Sequence, residues 1–206
     1  MRYEAPETKG EAVSLLAMAE GSGRVLAGGT DLLVQLRSGV VQPGVVVDIK
    51  KIVETREITA ENGGFRVGAA VTGAELDEHT ALKKLWPGVV EAVELIGSTQ
   101  IQGRASMGGN LCNASPAADS VPALIAAGAR CHIAGPDGER TLPVEEFCTG
   151  PGVTNLQAGE FLVSFTLPSR PPHSGDAYLR FIPRTEMDIA VVGVGVSLTL
   201  DSNGIC

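Results

Sequence analysis

Two stretches decide the reading of this chain: Val25-Leu-Ala-Gly-Gly-Thr-Asp-Leu-Leu33 and Arg104-Ala-Ser-Met-Gly-Gly-Asn-Leu111. Each places adjacent glycines where a strand or loop hands over to another element. Backbone without Cβ atoms can bring several N–H groups up to one anionic oxygen, and a helix start behind it adds unpaired donors. A pyrophosphate can be gripped this way without lysine. An isolated Gly-Gly pair usually makes only a turn, but two pairs with such flanks point to a ligand. The spacing is not G-x-G-x-x-G with an acid about twenty residues on, and G-x-x-x-x-G-K-[ST] does not occur. A Rossmann dehydrogenase is thereby disfavoured and a P-loop nucleotidase excluded.

Around these stretches the pattern alternates helix and strand. Apolar positions Ala12, Val13, Leu15, Leu16 and Ala19 predict a helix over about 7–20. Residues 24–27 read as a strand entering the first glycine pair, 32–36 as a helix leaving it, and 45–49 as a buried strand. A boundary falls near 53–58. Asn62-Gly63 then predicts a hairpin joining 56–59 to 65–67. Helices are expected at 73–79 and 89–96, a polar loop at 97–115, and a helix at 120–127 opened by Asp119 and closed by Gly128. Strands are expected at 129–134, 160–167 and 190–200.

Composition narrows the function. With 44% apolar residues and 206 positions the chain can bury a real core. A net charge of -8 without a Lys/Arg cluster argues against nucleic acid. Residues 1–10 lack the apolar region of a signal peptide, and no apolar run approaches the ~18 residues of a membrane span. The expected location is cytoplasmic. Cys112, Cys131, Cys148 and Cys206 form no C-x-x-C pair, so no zinc or iron-sulphur site is written here, and buried structural thiols are expected. His79, His132 and His173 show no metal-ligand spacing and no nucleophile constellation.

The two glycine stretches, together with Ile96-Gly97, Gln100-Ile101, Asn113-Ala-Ser-Pro-Ala-Ala-Asp119, Gly159-Glu-Phe-Leu-Val163 and Arg184-Thr-Glu-Met-Asp-Ile-Ala190, resemble a known family. It is the FAD-binding (medium) subunit of molybdenum hydroxylases, of the xanthine dehydrogenase and carbon monoxide dehydrogenase type. The resemblance spans nearly the whole chain. It implies an α+β fold of the PCMH/vanillyl-alcohol-oxidase type: an N-terminal subdomain (1–55), a second subdomain with a mixed sheet (56–172), and the start of a third α+β domain (177–206). FAD would lie between the first two.

Carried over residue by residue, the resemblance makes Ala27, Gly28, Gly29, Thr30 and Asp31 the first pyrophosphate loop. Ser106, Met107, Gly108, Gly109 and Asn110 would form the second, reaching the diphosphate and ribitol. Asp119 would bind a cofactor hydroxyl, with a plain helix N-cap as the alternative. Ile96 and Leu162 would line the flavin pocket, and Arg180 would lie near the isoalloxazine. Gln102-Gly103 stands where the family commonly has Arg-Asn, and Ser106-Met107 where it has Thr-Ile; serine keeps the hydroxyl. No histidine lies beside a glycine loop, and this branch does not attach its flavin covalently, so dissociable FAD is expected.

The same resemblance implies partners: a molybdopterin-binding large subunit and a small subunit with [2Fe-2S] clusters, assembled as a dimer of heterotrimers. Electrons would pass from the clusters through FAD to NAD, oxygen, a quinone or another acceptor, while no catalytic residue for substrate oxidation lies on this chain. The alternatives are a flavoenzyme of the UDP-N-acetylmuramate dehydrogenase type and a scaffold subunit that keeps the fold without redox work. Family members continue for a further small domain, so the chain is expected to be an incomplete subunit. A returning strand is expected to begin at Ile205.

Overall fold

The computed structural model describes residues 1–185 and 187–206. The first lobe runs β1 (Arg2–Glu4), α1 (Lys9–Met18), β2 (Gly23–Leu26), α2 (Leu32–Arg37) and β3 (Val45–Asp48). Its three strands are parallel in the order β1-β3-β2. The central strand reads Val-Val-Val-Asp and is buried at every position, as a parallel strand covered on both faces should be. The first helix starts later than 7 because Thr8 caps it, its hydroxyl accepting from Glu11 N at 3.2 Å.

Two 3-10 turns, Ile49–Lys51 and Val53–Thr55, lead out of this lobe. They are fixed from within. Asp48 accepts from Tyr3 Oη at 2.6 Å and Lys50 Nζ at 2.7 Å. The buried Thr55 hydroxyl reaches the carbonyls of Ile49 and Ile52 at 2.7 and 2.8 Å.

The second lobe opens with β4 (Ile58–Glu61) and β5 (Gly64–Gly68). Asn62 and Gly63 turn them with φ of 50° and 77°, the left-handed pair that a tight hairpin needs. Six helices follow: α3 (Gly73–Glu78), α4 (Thr80–Leu85), α5 (Pro87–Glu94), α6 (Thr99–Gln102), α7 (Met107–Asn113) and α8 (Ser120–Ala126). Next come β6 (Arg130–Gly135), β7 (Gly138–Pro143), β8 (Cys148–Gly150), β9 (Val153–Thr154) and β10 (Phe161–Leu167). Pro87 occupies the first turn of α5 and moves that helix forward of the expected 89–96. The expected loop at 97–115 is a correction, since it contains α6 and α7. The expected mixed sheet is another. The order β4-β5-β10-β6-β7 is antiparallel throughout: β4/β5 and β6/β7 are hairpins, and β10 runs against both β5 and β6.

Strand β10 joins the lobes. Its register shifts between Leu162 and Ser164. Phe161 and Val163 pack with Ala12, Val45, Val47, Ile49 and Ile52 of the first lobe. Leu162, Phe165 and Leu167 pack into the helical core with Leu76, Val89, Leu124 and Phe147. A strand buried on both faces explains why Phe-Leu-Val-Ser-Phe-Thr-Leu shows no clean polar alternation.

A separate hairpin, β11 (Ser174–Phe181) with β12 (Val192–Thr199), lies against α5 and α8. Its polar side chains face inward. Asp176 accepts from Gly88 N at 2.8 Å and lies 2.7 Å from Arg170 Nη1. Arg170 donates to Leu85 O at 2.6 Å and stacks over Trp86, 5.0 Å from the ring centroid. A Cβ on Gly195 would come within 2.4 Å of Pro122 O, so only glycine lets β12 lie this close to α8. The outward face carries exposed Leu179, Phe181, Val192, Val194 and Leu198. Ile205 begins no strand: its amide donates to the Asp201 carboxylate at 2.9 Å in a local turn.

Burial is the largest influence on Asp176 and raises its carboxyl above 3.8, while Arg170 works against it. Removing one partner of a buried ion pair strands the other charge, at a cost of about 3–5 kcal/mol. Arg170→Ala is therefore expected to lose about that much in urea unfolding at neutral pH. A carboxyl with a raised folded-state pKa stabilises below its unfolded value and loses that contribution as pH rises through the folded one. The deficit should accordingly shrink toward about pH 4. A deficit that does not change with pH would contradict this account.

Candidate cofactor-binding site

The lobes enclose a cleft of ≈ 720 Å³, in the upper part of the about 300–1,000 Å³ range of small-molecule and cofactor sites. One wall is the turn from β2 into α2, and the facing wall is the start of α7. Phe161 and Leu162 at the head of β10 also line it.

The glycines explain how the walls meet. A Cβ on Gly28 would stand 1.8 Å from the carbonyl oxygen of Arg104, so the two stretches are in backbone contact. Gly108 lies as tightly on Ala69, where a Cβ would come within 2.3 Å of the carbonyl oxygen. Gly29 has a different reason, a φ of 82° that L side chains rarely adopt. Gly109 is held by its neighbour, its amide donating to Ser106 Oγ at 3.1 Å. The Gly108-Gly109 pair thus belongs to the first turn of a capped helix rather than to a loop. Glycine's poor helix propensity hid that helix from the sequence, and tertiary contact overrides it.

The cleft offers backbone donors and little positive charge. Among the described residues, the amides of Gly29, Thr30 and Asp31 have no protein acceptor. The charged groups lining the cleft are Arg24, Asp31 and Glu160, and Glu160 is paired with Arg140 at 2.7 Å. Burial raises the Asp31 carboxyl above its ordinary value. Such a site suits a ligand whose anionic part is met by amides and whose remainder is polar or aromatic.

The structure brings together Ala27, Gly28, Gly29, Thr30, Asp31, Ile96, Ser106, Gly108, Gly109, Asn110 and Leu162 around this cleft. Three sequence-derived candidates lie elsewhere. Met107 is buried in the helical core. Asp119 and Arg180 bind each other: Arg180 Nη1 lies 3.2 Å from both carboxylate oxygens of Asp119 and donates to Leu95 O at 2.8 Å. Tyr178 Oη adds a bond to Asp119 at 2.9 Å. Asp119 makes no side-chain cap on α8 either, so neither expected role appears in this geometry.

Sequence reasoning missed Gln35, Asn113, Thr154 and Gln157, polar residues that also line the cleft. Gln35 lies just beyond the first glycine stretch and Asn113 opens one of the quoted stretches, but nothing in their spacing shows that they meet. Cys112, expected to be buried, is exposed on the cleft wall. Cys206 is exposed as well, Cys131 is buried and Cys148 partly so. Among the described residues no cluster of His, Cys, Asp and Glu could hold a metal, and no helix is long and apolar enough to cross a membrane.

Comparison with known proteins places this geometry. The family described as the FAD binding domain in molybdopterin dehydrogenase matches residues 1–170. The xanthine dehydrogenase FAD-binding subunit of Escherichia coli O157:H7 is 36% identical over 202 residues, covering 97% of this chain and 69% of that protein. The nicotinate dehydrogenase FAD-subunit of Eubacterium barkeri is 30% identical, covering 99% and 70%. Among solved structures, carbon monoxide dehydrogenase from Hydrogenophaga pseudoflava superposes with a TM-score of 0.92 at 31% identity, covering 98% of this chain and 70% of the matched one.

Gly28→Ala must push the lobes apart, and overpacking of this kind costs about 1–3 kcal/mol or more. Gly103→Ala, where a Cβ meets nothing within 4 Å, serves as the control. Thermal unfolding should show a clear loss for the first and little change for the second. Equal melting temperatures would mean that the contact between the two stretches is not tight.

Proposed function

Because this chain belongs to the family of FAD-binding domains of molybdopterin dehydrogenases, we propose that it holds FAD in the interlobe cleft and serves as the electron-transferring flavoprotein part of a multi-subunit molybdenum hydroxylase. The observation that carries the reading is the glycine-lined cleft itself, where two backbone walls converge with amides unpaired. Bound FAD would accept electrons and release them to an external acceptor. The chain's share is binding, orientation and electrostatics.

The residues present fit that cofactor. Free amides at Gly29, Thr30 and Asp31, with the Gly108-Gly109 turn opposite, are suited to the diphosphate. No lysine is needed. Asp31 is suited to accept from hydroxyl groups, since its carboxylate would repel a diphosphate. Ile96 and Leu162 supply apolar wall.

Substrate oxidation belongs to a partner that carries the molybdenum cofactor, with [2Fe-2S] clusters on another. The relatives named for xanthine and nicotinate support that division, because each is itself called a FAD subunit. The finer picture of a dimer of heterotrimers rests on the sequence resemblance, and the cytoplasmic location on the character of residues 1–10 and the absence of a long apolar run in the sequence. The division into 1–55, 56–172 and 177–206 is supported by the change of sheet between Asp48 and Ile58 and by the separate pairing of β11 with β12.

One FAD per chain, held without a covalent bond, is the expected outcome of reconstitution. Acid or heat should release the whole of the yellow colour from the polypeptide. A protein that takes up no FAD, or one that keeps flavin after denaturation, would contradict the proposal.

A further inference from the structure

One wall of the cleft is built differently from the rest. The helix α2 has no buried residue, and Leu33 and Val34 on it are exposed at 52% and 65%. Glycines in the left-handed region bound it on both sides, Gly29 at φ 82° and Gly39 at φ 74°. Gly39 is in open space, since a Cβ there would meet nothing within 4 Å. The residues after the helix close it with a glycine cap, Gly39 N donating to Leu36 O at 3.2 Å and Val40 N to Gln35 O at 3.0 Å, so the segment is a compact unit with its own backbone bonds.

Its inner side faces the cleft through Leu32, Gln35 and Val41. From there Gln35 Nε2 reaches across to the second lobe and donates to Asn113 Oδ1 at 3.0 Å. Asn113 is the last residue of α7, the helix that carries the opposing glycines. A poorly packed helix between two left-handed glycines, tied over the cleft by a side-chain hydrogen bond, has the construction of a latched door.

We propose that 29–39 is the entry door of the flavin cleft, hinged at Gly29 and Gly39 and latched by Gln35 on Asn113. The proposal rests on the FAD reading for its ligand. The door sets how fast flavin enters and leaves, and Gln35 and Asn113 act as positioning residues.

The test compares the flavin-free chain with Gln35→Ala, Asn113→Ala and the double variant, using stopped-flow fluorescence with FAD. A latch predicts that either single change raises the FAD dissociation rate by about threefold to tenfold, the range of one lost hydrogen bond. The double variant should be no faster than the singles, because both remove the same bond. Amide exchange on the flavin-free proteins gives an independent readout. Residues 32–37 should exchange faster than 107–113, and Gln35→Ala should speed only the former. Unchanged dissociation rates, multiplying effects in the double variant, or equal exchange in the two helices would overturn the door. If the wild-type chain takes up no FAD, the flavin reading fails, and the exchange experiment still judges the hinge.

Discussion

The close approach of Gly28 to the carbonyl of Arg104 is the constraint on which the rest of the molecule depends. There is no room for a single carbon between these two backbones, so the lobes meet along main chain rather than side chains. Their other joint is apolar: Phe161 and Val163 of β10 press into the core of the first lobe. The register shift after Leu162 returns Phe165 and Leu167 to the helical core. A strand shared between two cores cannot slip without unpacking both. The cleft lies between these two joints.

That construction also explains how an acidic chain can hold an anionic cofactor. With a net charge of -8, the protein offers no field that would draw a diphosphate toward it. What it offers is short range: the amides of Gly29, Thr30 and Asp31, which have no protein acceptor among the described residues. Binding by fixed dipoles responds less to ionic strength than binding by mobile cations, because only unscreened contacts contribute. The Glu160–Arg140 pair neutralises one of the two carboxylates that border the cleft, the other being Asp31.

Much of this was legible in the sequence, and the physical reasons are specific. Asn62-Gly63 declared its turn because only a few residue types tolerate two consecutive left-handed positions. The glycine pairs at 28–29 and 108–109 declared a close approach. They did not declare what approaches: for Gly28 and Gly108 it is the protein's own backbone. Helix α7 was invisible because two of its residues are glycine. Strand β11 was invisible because Ser-Gly-Asp-Ala-Tyr-Leu-Arg-Phe alternates with its polar members turned inward, the reverse of the usual assignment. The period of a strand can be read from sequence; the face that meets the core depends on partners far away in the chain.

Asp119 and Arg180 show what that distance conceals. As isolated positions each is suited to a cofactor, an acid for hydroxyl groups and a base for an electron-rich ring. In the fold, Arg180 on the hairpin spends its charge on Asp119 at the start of α8, with Tyr178 on the same carboxylate. The next residue, Ser120, donates through both its amide and its hydroxyl to Asn110 Oδ1, at 3.2 and 2.7 Å. Asn110 lines the cleft. The contacts are therefore continuous from the inner face of the hairpin, through Asp119 and Ser120, to the side chain of a cleft residue. In this arrangement Arg180 holds Asp119 at the start of α8, and the neighbouring Ser120 holds the side-chain amide of Asn110. The outer apolar face of β11 and β12 is the other side of the hairpin from which these contacts start.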